Sequence, residues 1–192
     1  MKFRDLTADE IEVRVQSIKQ KDGKPTGAIL LLYKNARCDM NILDETVGAE
    51  NWQREHYDCK GNLFCRVGIN INYAVKGSPA EWVYKSDCGT ESNTEAQKGE
   101  ASDSFKRACF NWGIGRELYT SPFIWITPDN CNIYDTKKTD KFGNKVFATN
   151  DRFTVKKIII SDKRITSLAI WSETQKKYAF IEHEGRVPYD AV

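Results

Sequence analysis

Hydrophobic and polar residues alternate most regularly in the segment LFCRVGININYAV, residues 63–75. Leu63, Cys65 and Val67 begin a run of apolar odd positions, and the even positions between them are largely polar. A period of two predicts a β-strand with one face in a core. The turn-forming stretch CKGN separates this segment from WQREHYD before it, and KGSPA separates it from EWVYKSD after it. The pattern therefore predicts an antiparallel meander of three strands.

The segment after the meander, TEAQKGEASDSFKRACFNWGIG, has the period of an α-helix that ends at Gly113. One stripe carries the apolar side chains that should pack on the meander: Ala101, Phe105, Ala108, Cys109 and Trp112. Three residues follow one margin of this stripe at i, i+4 and i+8: Lys98, Ser102 and Lys106. Lys106 either covers the core edge with its stem or lines a binding surface. Arg107 points to the far side, where an ion pair with Asp103 is the alternative to a binding role.

Other segments predict further strands and one more helix. LTADEIEVRVQSI fits a helix that starts with a Thr7–Glu10 capping box, and it also fits a strand because its apolar residues alternate. KQKDGKPTG predicts a loop, AILLLY a strand, and ARCDMNILDETV a helix that ends at Gly48. Beyond Pro122, five segments are strand-like: FIWI, KVFAT, FTVKKIIIS, RITSLAIWS and KYAFIEH, with DK as a hairpin turn between the third and fourth.

Together these elements predict an α+β fold. Its centre is the three-stranded antiparallel β-meander followed by a long helix, a β-β-β-α arrangement, and a β-rich extension follows at the C-terminus. We place the first domain at residues 1–127 and the extension at residues 128–192. A chain of 192 residues with 40% hydrophobic content can bury the core that such a domain and appendage need.

Composition argues against secretion, membrane insertion and metal binding. No stretch of about 18 apolar residues occurs and the N-terminus lacks a signal-peptide pattern, so we predict a cytoplasmic protein. The six cysteines form no CxxC pair, which predicts reduced thiols. His56, Cys59 and Cys65 have a spacing unlike that of usual zinc sites. We predict no metal and no cofactor.

Charge is distributed unevenly along the chain. Residues 136–186 hold twelve lysines and arginines against six acidic residues, whereas residues 1–135 hold seventeen against twenty. A basic excess of this kind is either a solvated face or a nucleic-acid surface. Charge alone leaves both alternatives open.

Two motifs flank the predicted meander. R-x-x-x-N-I-L-D begins at Arg37 and is followed by G-x-x-N-W, and D-x-x-K-R-A with an aromatic-glycine ending begins at Asp103. In this order the motifs resemble the annealing domain of the Rad52 family, the single-strand annealing proteins of homologous recombination, and especially its short phage and prophage members. The resemblance covers residues from about 28 to 120.

What the resemblance implies is a homo-oligomeric ring or helix that holds single-stranded DNA in a basic groove and anneals complementary strands without ATP during DNA repair. Further partners would be a single-strand binding protein or a phage exonuclease, in the cytoplasm of a bacterial host. The family motifs transfer DNA contacts to Arg37 and to the pair Lys106 and Arg107. The remaining residues predicted to bind DNA are Lys98, Ser102, Lys60 and Arg66.

The departures from the family pattern concern the groove. Phe110 stands where animal members carry another arginine, and Asn62 stands where their first hairpin has a lysine, with Lys60 close by. These differences imply a less basic inner groove.

An enzyme is the alternative class. Carboxylates near lysines on strands could hold Mg²⁺ in a DNA nuclease: Asp135, Glu173, Glu182 and Glu184. Their spacing matches no fixed motif, and the chain has no phosphate-binding GxxxxGK[ST] loop. We therefore predict a non-enzymatic annealing protein, with metal-dependent degradation of DNA as the alternative.

Overall fold

The computed structural model of the chain describes residues 1–90 and 96–183. The strands within these residues are β1 (Glu12–Lys21), β2 (Lys24–Tyr33), β3 (Trp52–Cys59), β4 (Asn62–Asn70), β5 (Trp82–Cys88), β6 (Ile124–Ile126), β7 (Ile133–Thr139), β8 (Lys145–Thr149), β9 (Phe153–Ser161), β10 (Arg164–Ser172) and β11 (Lys177–His183). The α-helices are α1 (Ala36–Val47) and α2 (Ala96–Trp112).

The predicted fold class, a β-β-β-α fold with a C-terminal extension, is wrong. The described part of the chain contains eleven strands and only two α-helices. Its largest sheet has six strands in the order β11-β10-β9-β1-β2-β6. Strands assigned to an extension thus lie in one sheet with the N-terminal hairpin. The prediction failed because it treated β9, β10 and β11 as an appendage and left β1 undecided between helix and strand.

The N-terminal hairpin explains the error in chemical terms. Asp22 and Gly23 both have positive φ, 52° and 71°, as in the two-residue type I′ turn whose twist matches an antiparallel hairpin. The loop predicted for KQKDGKPTG is therefore wrong, because β1 and β2 are paired up to this turn. The Glu10 carboxylate does accept the backbone N–H of Thr7, at 2.9 Å, but this interaction caps a single 3-10 turn before β1.

Contacts divide the chain into two compact units. The helical unit comprises Met1–Asp5 and Lys34–Arg116, and the sheet unit comprises Leu6–Tyr33 and Glu117–Val192. These units are interleaved along the sequence, with the N-terminal hairpin in the sheet unit. The predicted boundary after residue 127, as the end of an independent annealing domain, stays a prediction.

In the helical unit, α2 packs against β4 and β5 of the sheet β3-β4-β5. Three side chains of the predicted helical stripe are fully buried, Phe105, Ala108 and Cys109. The inward positions of β4 are fully buried as well: Cys65, Val67 and Ile69. The helix ends as predicted at Gly113, whose φ is 102°. Its N–H donates to the Phe110 carbonyl and that of Ile114 donates to the Cys109 carbonyl, which is the hydrogen-bond pattern of a Schellman motif.

In the sheet unit, eleven apolar side chains of the six-stranded sheet are buried. All are exposed by 7% or less: Ala28, Leu30, Ile124, Ile126, Phe153, Val155, Ile165, Leu168, Ala169, Ile170 and Ala179. The predicted DK turn is confirmed, because Asp162 and Lys163 have φ of 50° and 61° between the paired strands β9 and β10. The short pair β7-β8 forms a separate sheet. No helix among the described residues has the length and apolar character needed to cross a bilayer.

Candidate nucleic-acid interface

Arg37 lies in the first turn of α1. The Asn35 side chain caps this helix, and its Oδ1 accepts the backbone N–H groups of Arg37 and Cys38 at 2.9 and 3.1 Å. Two of the first-turn amides that would otherwise attract an anion are thus already engaged. The Arg37 side chain is exposed. Any phosphate contact here would therefore be made by the guanidinium group.

Beneath this turn lies a buried ion pair that the sequence analysis did not anticipate. Lys34 and Asp39 are 1% and 0% exposed, and Lys34 Nζ donates to Asp39 Oδ1. The Lys34 ammonium also lies 4.4 Å from the centre of the Phe110 ring. Its stem passes Gly115, where any Cβ would collide with it. The second oxygen of Asp39 has no hydrogen-bond partner among the described residues.

Burial raises the pKa of the Asp39 carboxyl to about 6, against the opposing attraction of Lys34 and of Lys106. Lys106 is half-buried on α2. Helix α2 also packs against α1.

The predicted row on α2 continues along the same margin. Lys98 is exposed, while Ser102 and Lys106 are half-buried. Nearby residues of this margin meet β3: the Phe105 ring stacks on Trp52 at 6.1 Å between centroids, and His56 Nε2 lies 3.0 Å from the Ala101 carbonyl oxygen. The row thus borders α1 and β3.

Arg107 occupies the opposite margin of α2, toward β5. Its Nε donates to Asp87 Oδ1 at 3.2 Å. The side chain of Asn111 likewise donates to the Ser86 carbonyl on β5. Asp103, the alternative partner considered for Arg107, accepts hydrogen bonds from the N–H and hydroxyl of Thr90.

Arg66 and Lys60 lie elsewhere on the same sheet. Arg66 projects from the face of β4 that points away from α2, since it alternates with the buried Cys65 and Val67. There it pairs with Glu55 at 2.6 Å. Lys60, with φ of 56°, occupies the exposed β3–β4 turn. The structure therefore places Lys98, Ser102 and Lys106 along one margin of α2 and Arg37 in the first turn of α1. Arg107, Arg66 and Lys60 lie elsewhere.

Arg54 is a cation of this margin that the sequence analysis missed. Arg54 pairs in register with the buried Val67 of β4, so it projects toward α2. Its guanidinium lies 4.7 Å from the centre of the Phe105 ring, one residue before Lys106. The pairing register of β3 with β4, had it been predicted, would have placed Arg54 on the face toward α2. We call Arg37, Arg54, Lys98 and Lys106 the cationic margin.

Among the residues that the structure describes, the carboxylates considered for a nuclease do not come together as a metal site. Asp135 pairs with Lys137 and Lys145, and Glu173 pairs with Lys156 and Lys176. Glu184 lies outside the described residues. Across residues 1–90 and 96–183, no three His, Cys, Asp or Glu side chains are grouped so that they could hold a metal ion.

Comparison with known proteins gives one result. The family profile described as Rad52/22 family double-strand break repair protein matches residues 4–132 of the chain. No curated protein and no solved structure matches it.

Proposed function

The chain belongs to the Rad52/22 family of double-strand break repair proteins, and on this premise we propose that it binds single-stranded DNA and anneals complementary strands without ATP. The proposal includes a phage or prophage origin and a role that involves no bond cleavage. Its main support is the set of cations named the cationic margin: Arg37 is exposed in the first turn of α1, and Lys106 lies on α2, which packs against α1.

The chemistry of the margin suits annealing. Annealing needs phosphates to be held while base edges stay free to meet a complement. Exposed guanidinium and ammonium groups hold phosphates without reading bases, and they release counterions as they bind. The aromatic rings beside the margin, Trp52 and Phe105, stack on each other and are used in packing. The expected grip is therefore independent of sequence.

Residues are ranked by their surroundings. Arg37 and Lys106 are the proposed principal phosphate contacts, with Arg54, Lys98 and Ser102 beside them. Arg107 and Arg66 are proposed as weaker contacts, because Asp87 and Glu55 compete with DNA for their guanidinium groups. Lys60 would reach DNA only from the β3–β4 turn.

Assembly into a homo-oligomeric ring or helix is part of the proposal. The sheet β3-β4-β5 has only three strands, so its two edge strands leave backbone groups that another copy can pair with. Light scattering at micromolar concentration should give a mass well above 22.0 kDa. A monomer both with and without DNA would contradict this part. A single-strand binding protein or a phage exonuclease remains a proposed further partner.

The test is an annealing assay with complementary labelled strands, in the absence of ATP and with metal chelated. The wild-type protein should accelerate annealing, and Arg37→Ala and Lys106→Ala should both reduce it. Each lost phosphate contact should also reduce the slope of log affinity against log salt by about 0.7. Asp103→Ala serves as the control that leaves this slope unchanged, since Asp103 bonds Thr90.

Two outcomes would contradict the proposal. Normal salt slopes in folded Arg37→Ala and Lys106→Ala proteins would remove the site assignment. Shortening of labelled single strands on addition of Mg²⁺, without annealing in its absence, would favour the nuclease alternative.

A further inference from the structure

A second surface with binding chemistry lies in the sheet unit, on β9, β10 and β11. One side of these strands holds buried residues such as Val155, Leu168 and Ile170. The other side presents large side chains to solvent: Ile159 is 47% exposed and Tyr178 is 37% exposed. Trp171 and Ile181 are half-buried on the same side. We call Ile159, Trp171, Tyr178 and Ile181, with the neighbouring Lys156 and Lys157, the aromatic face.

The registers of the strands bring these residues together. Trp171 of β10 is paired with Tyr178 of β11 and with Thr154 of β9. The rings of Trp171 and Tyr178 meet edge to face, with 5.1 Å between centroids and 84° between planes. A T-shaped pair of this kind holds both rings in fixed positions. The face thus offers a preorganised aromatic pair.

A β-bulge adds positive charge to this face. Lys157 is paired with Ala169 while Val155 is paired with the adjacent Ile170, so Lys156 is the extra residue of β9. Strict alternation would turn one of two consecutive lysines into the core. With the bulge, both Lys156 and Lys157 are exposed.

Glu173 steadies one of these lysines. Its carboxylate lies 3.3 Å from Lys156 Nζ and accepts the Thr154 hydroxyl at 2.8 Å. The hydrogen bond from Thr154 and the pairing with Lys156 hold the pKa of Glu173 below its usual value, so this carboxylate is ionised at neutral pH. Glu173 thus offsets the charge of Lys156. The positive charge available to a ligand on this face is that of Lys157.

From this juxtaposition of the Trp171–Tyr178 ring pair and the bulge lysines we propose that the aromatic face is a second single-stranded DNA site, which holds bases by stacking. Exposed rings on a sheet accept any base because every base has a flat π-face. Lysines at the border attract the phosphates. A polyanion that carries flat rings matches both features, whereas a purely apolar partner would use the rings alone. This inference rests on the proposed binding of single-stranded DNA.

The experiment compares Tyr178→Ser with Tyr134→Ser in the full-length protein. Tyr134 is a matched control, since it is 46% exposed on β7, which belongs to the separate sheet β7-β8. Affinity is measured for labelled oligodeoxynucleotides with normal nucleotides and with abasic spacers. Loss of one stacked base should weaken binding about 5- to 150-fold. Tyr178→Ser should weaken binding of normal strands and lose the sensitivity to abasic spacers; Tyr134→Ser and Tyr178→Phe should behave as wild type.

Charge is tested separately. Lys157→Gln should reduce the salt slope by about 0.7, whereas Lys138→Gln, an exposed lysine of β7, should leave it unchanged. Circular dichroism confirms that each variant is folded, and Tyr178→His, which keeps a flat ring, replaces Tyr178→Phe if that variant does not fold.

Several results would overturn the inference. A folded Tyr178→Ser protein with wild-type affinity, or with an undiminished abasic penalty, excludes stacking on this face. A changed oligomeric mass with unchanged DNA affinity would make the face an interface between copies. If Arg37→Ala and Lys106→Ala weaken binding while the face variants do not, this inference fails and the proposed function stands. If the wild-type protein binds no single-stranded DNA, the proposed function fails too.

Discussion

The cationic margin and the aromatic face combine the same residue types in opposite ways. In the helical unit, the rings of Trp52 and Phe105 are stacked in the packing between β3 and α2, and the cations stand at its edge. In the sheet unit, Trp171 and Tyr178 face solvent and the lysines border them. The first arrangement suits phosphates and the second suits bases.

Local pairing matters more than summed charge in locating such surfaces. The basic excess of residues 136–186 pointed to the C-terminal region, yet many of its lysines lie beside carboxylates: Lys137 and Lys145 at Asp135, Lys156 and Lys176 at Glu173, and Lys163 at Glu117. Arg37, in the region of net negative charge, is exposed. Of the two alternatives for the basic excess, a solvated face or a nucleic-acid surface, the second is therefore proposed only for the lysines of the aromatic face.

The largest expected effect comes from deleting the strands that carry the aromatic face. A chain that ends at Thr127 would lack β9, β10 and β11, three of the six strands in the sheet of β1 and β2. It would also lose the buried side chains of Leu168 and Ile170. We expect the shortened chain to aggregate and to show no cooperative thermal unfolding. Light scattering measures the first and circular dichroism the second. A shortened chain that melts cooperatively would instead support an independent domain at residues 1–127.

The next largest effect concerns the buried ion pair between Lys34 and Asp39. Asp39→Ala removes both the charge and the oxygen that accepts the Lys34 ammonium, and breaking a buried pair in this way typically costs about 3–5 kcal/mol of unfolding free energy. Urea denaturation should show this loss. Protonation of Asp39 differs, because the neutral carboxyl keeps an acceptor for Lys34. Glu45→Ala is the control, since its exposed pair with Arg4 should contribute at most about 1 kcal/mol. A double variant, Lys34→Met with Asp39→Leu, should recover much of the loss; a loss as large as that of Asp39→Ala would point to a cause other than charge.

The same residue predicts how stability depends on pH. The pKa of Asp39 is about 6 in the folded state and about 3.9 in an unfolded chain. The folded state therefore binds the proton more tightly, and stability should rise as pH falls between these values. We expect a contribution of about 2 kcal/mol between pH 6.5 and pH 4.5, measured by urea denaturation.

The control for this pH effect is Asp39→Asn, whose side chain does not titrate and which should lack the rise. Below pH 4.5 the trend should reverse, because the lowered pKa values of Asp135, Asp140 and Glu173 mean that the folded state loses stability as these groups are protonated. A flat profile in the wild type would show that Lys34 keeps Asp39 ionised.

Regular periodicity made the helical unit largely predictable. The residues of α1, the meander strands and α2 have clean periods, and Gly48 and Gly113 mark where the helices end. The hydrophobic pattern failed where a single turn or β-bulge decided the structure. The Asp22–Gly23 turn converted a supposed loop into a hairpin, and the bulge at Lys156 changed which side chains of β9 face solvent. The pairing of β9 with β1 lies between residues too far apart in sequence for a local pattern to reveal it.

The candidate site was predictable only in part for a similar reason. Helical spacing identified Lys98, Ser102 and Lys106 as a row, and motif resemblance identified Arg37. Arg54 required the register between β3 and β4. Lys34 and Asp39 are charged residues, which are rarely buried unless paired. The burial of Lys34 just before α1 and of Asp39 in its first turn therefore has no signal in the sequence.

The smallest expected effect separates the two margins of α2. Arg54→Gln removes a cation of the cationic margin, so the slope of log affinity against log salt should fall by about 0.7, the value for one phosphate contact on a single strand. Arg107→Gln should change the slope by less, because Asp87 already holds the Arg107 guanidinium at 3.2 Å. Salt titrations of a mixed-sequence strand and a homopolymer measure both slopes, and the two strands should give the same slope because phosphate contacts do not read bases.

The thermal midpoint of Arg54→Gln provides the control. Loss of the Arg54 guanidinium over the Phe105 ring should cost only about 0.5–1 kcal/mol of unfolding free energy and leave the protein folded. An equal fall in slope for both variants would mean that DNA contacts both sides of α2, and the distinction between its α1–β3 margin and its β5 margin would then have no functional meaning.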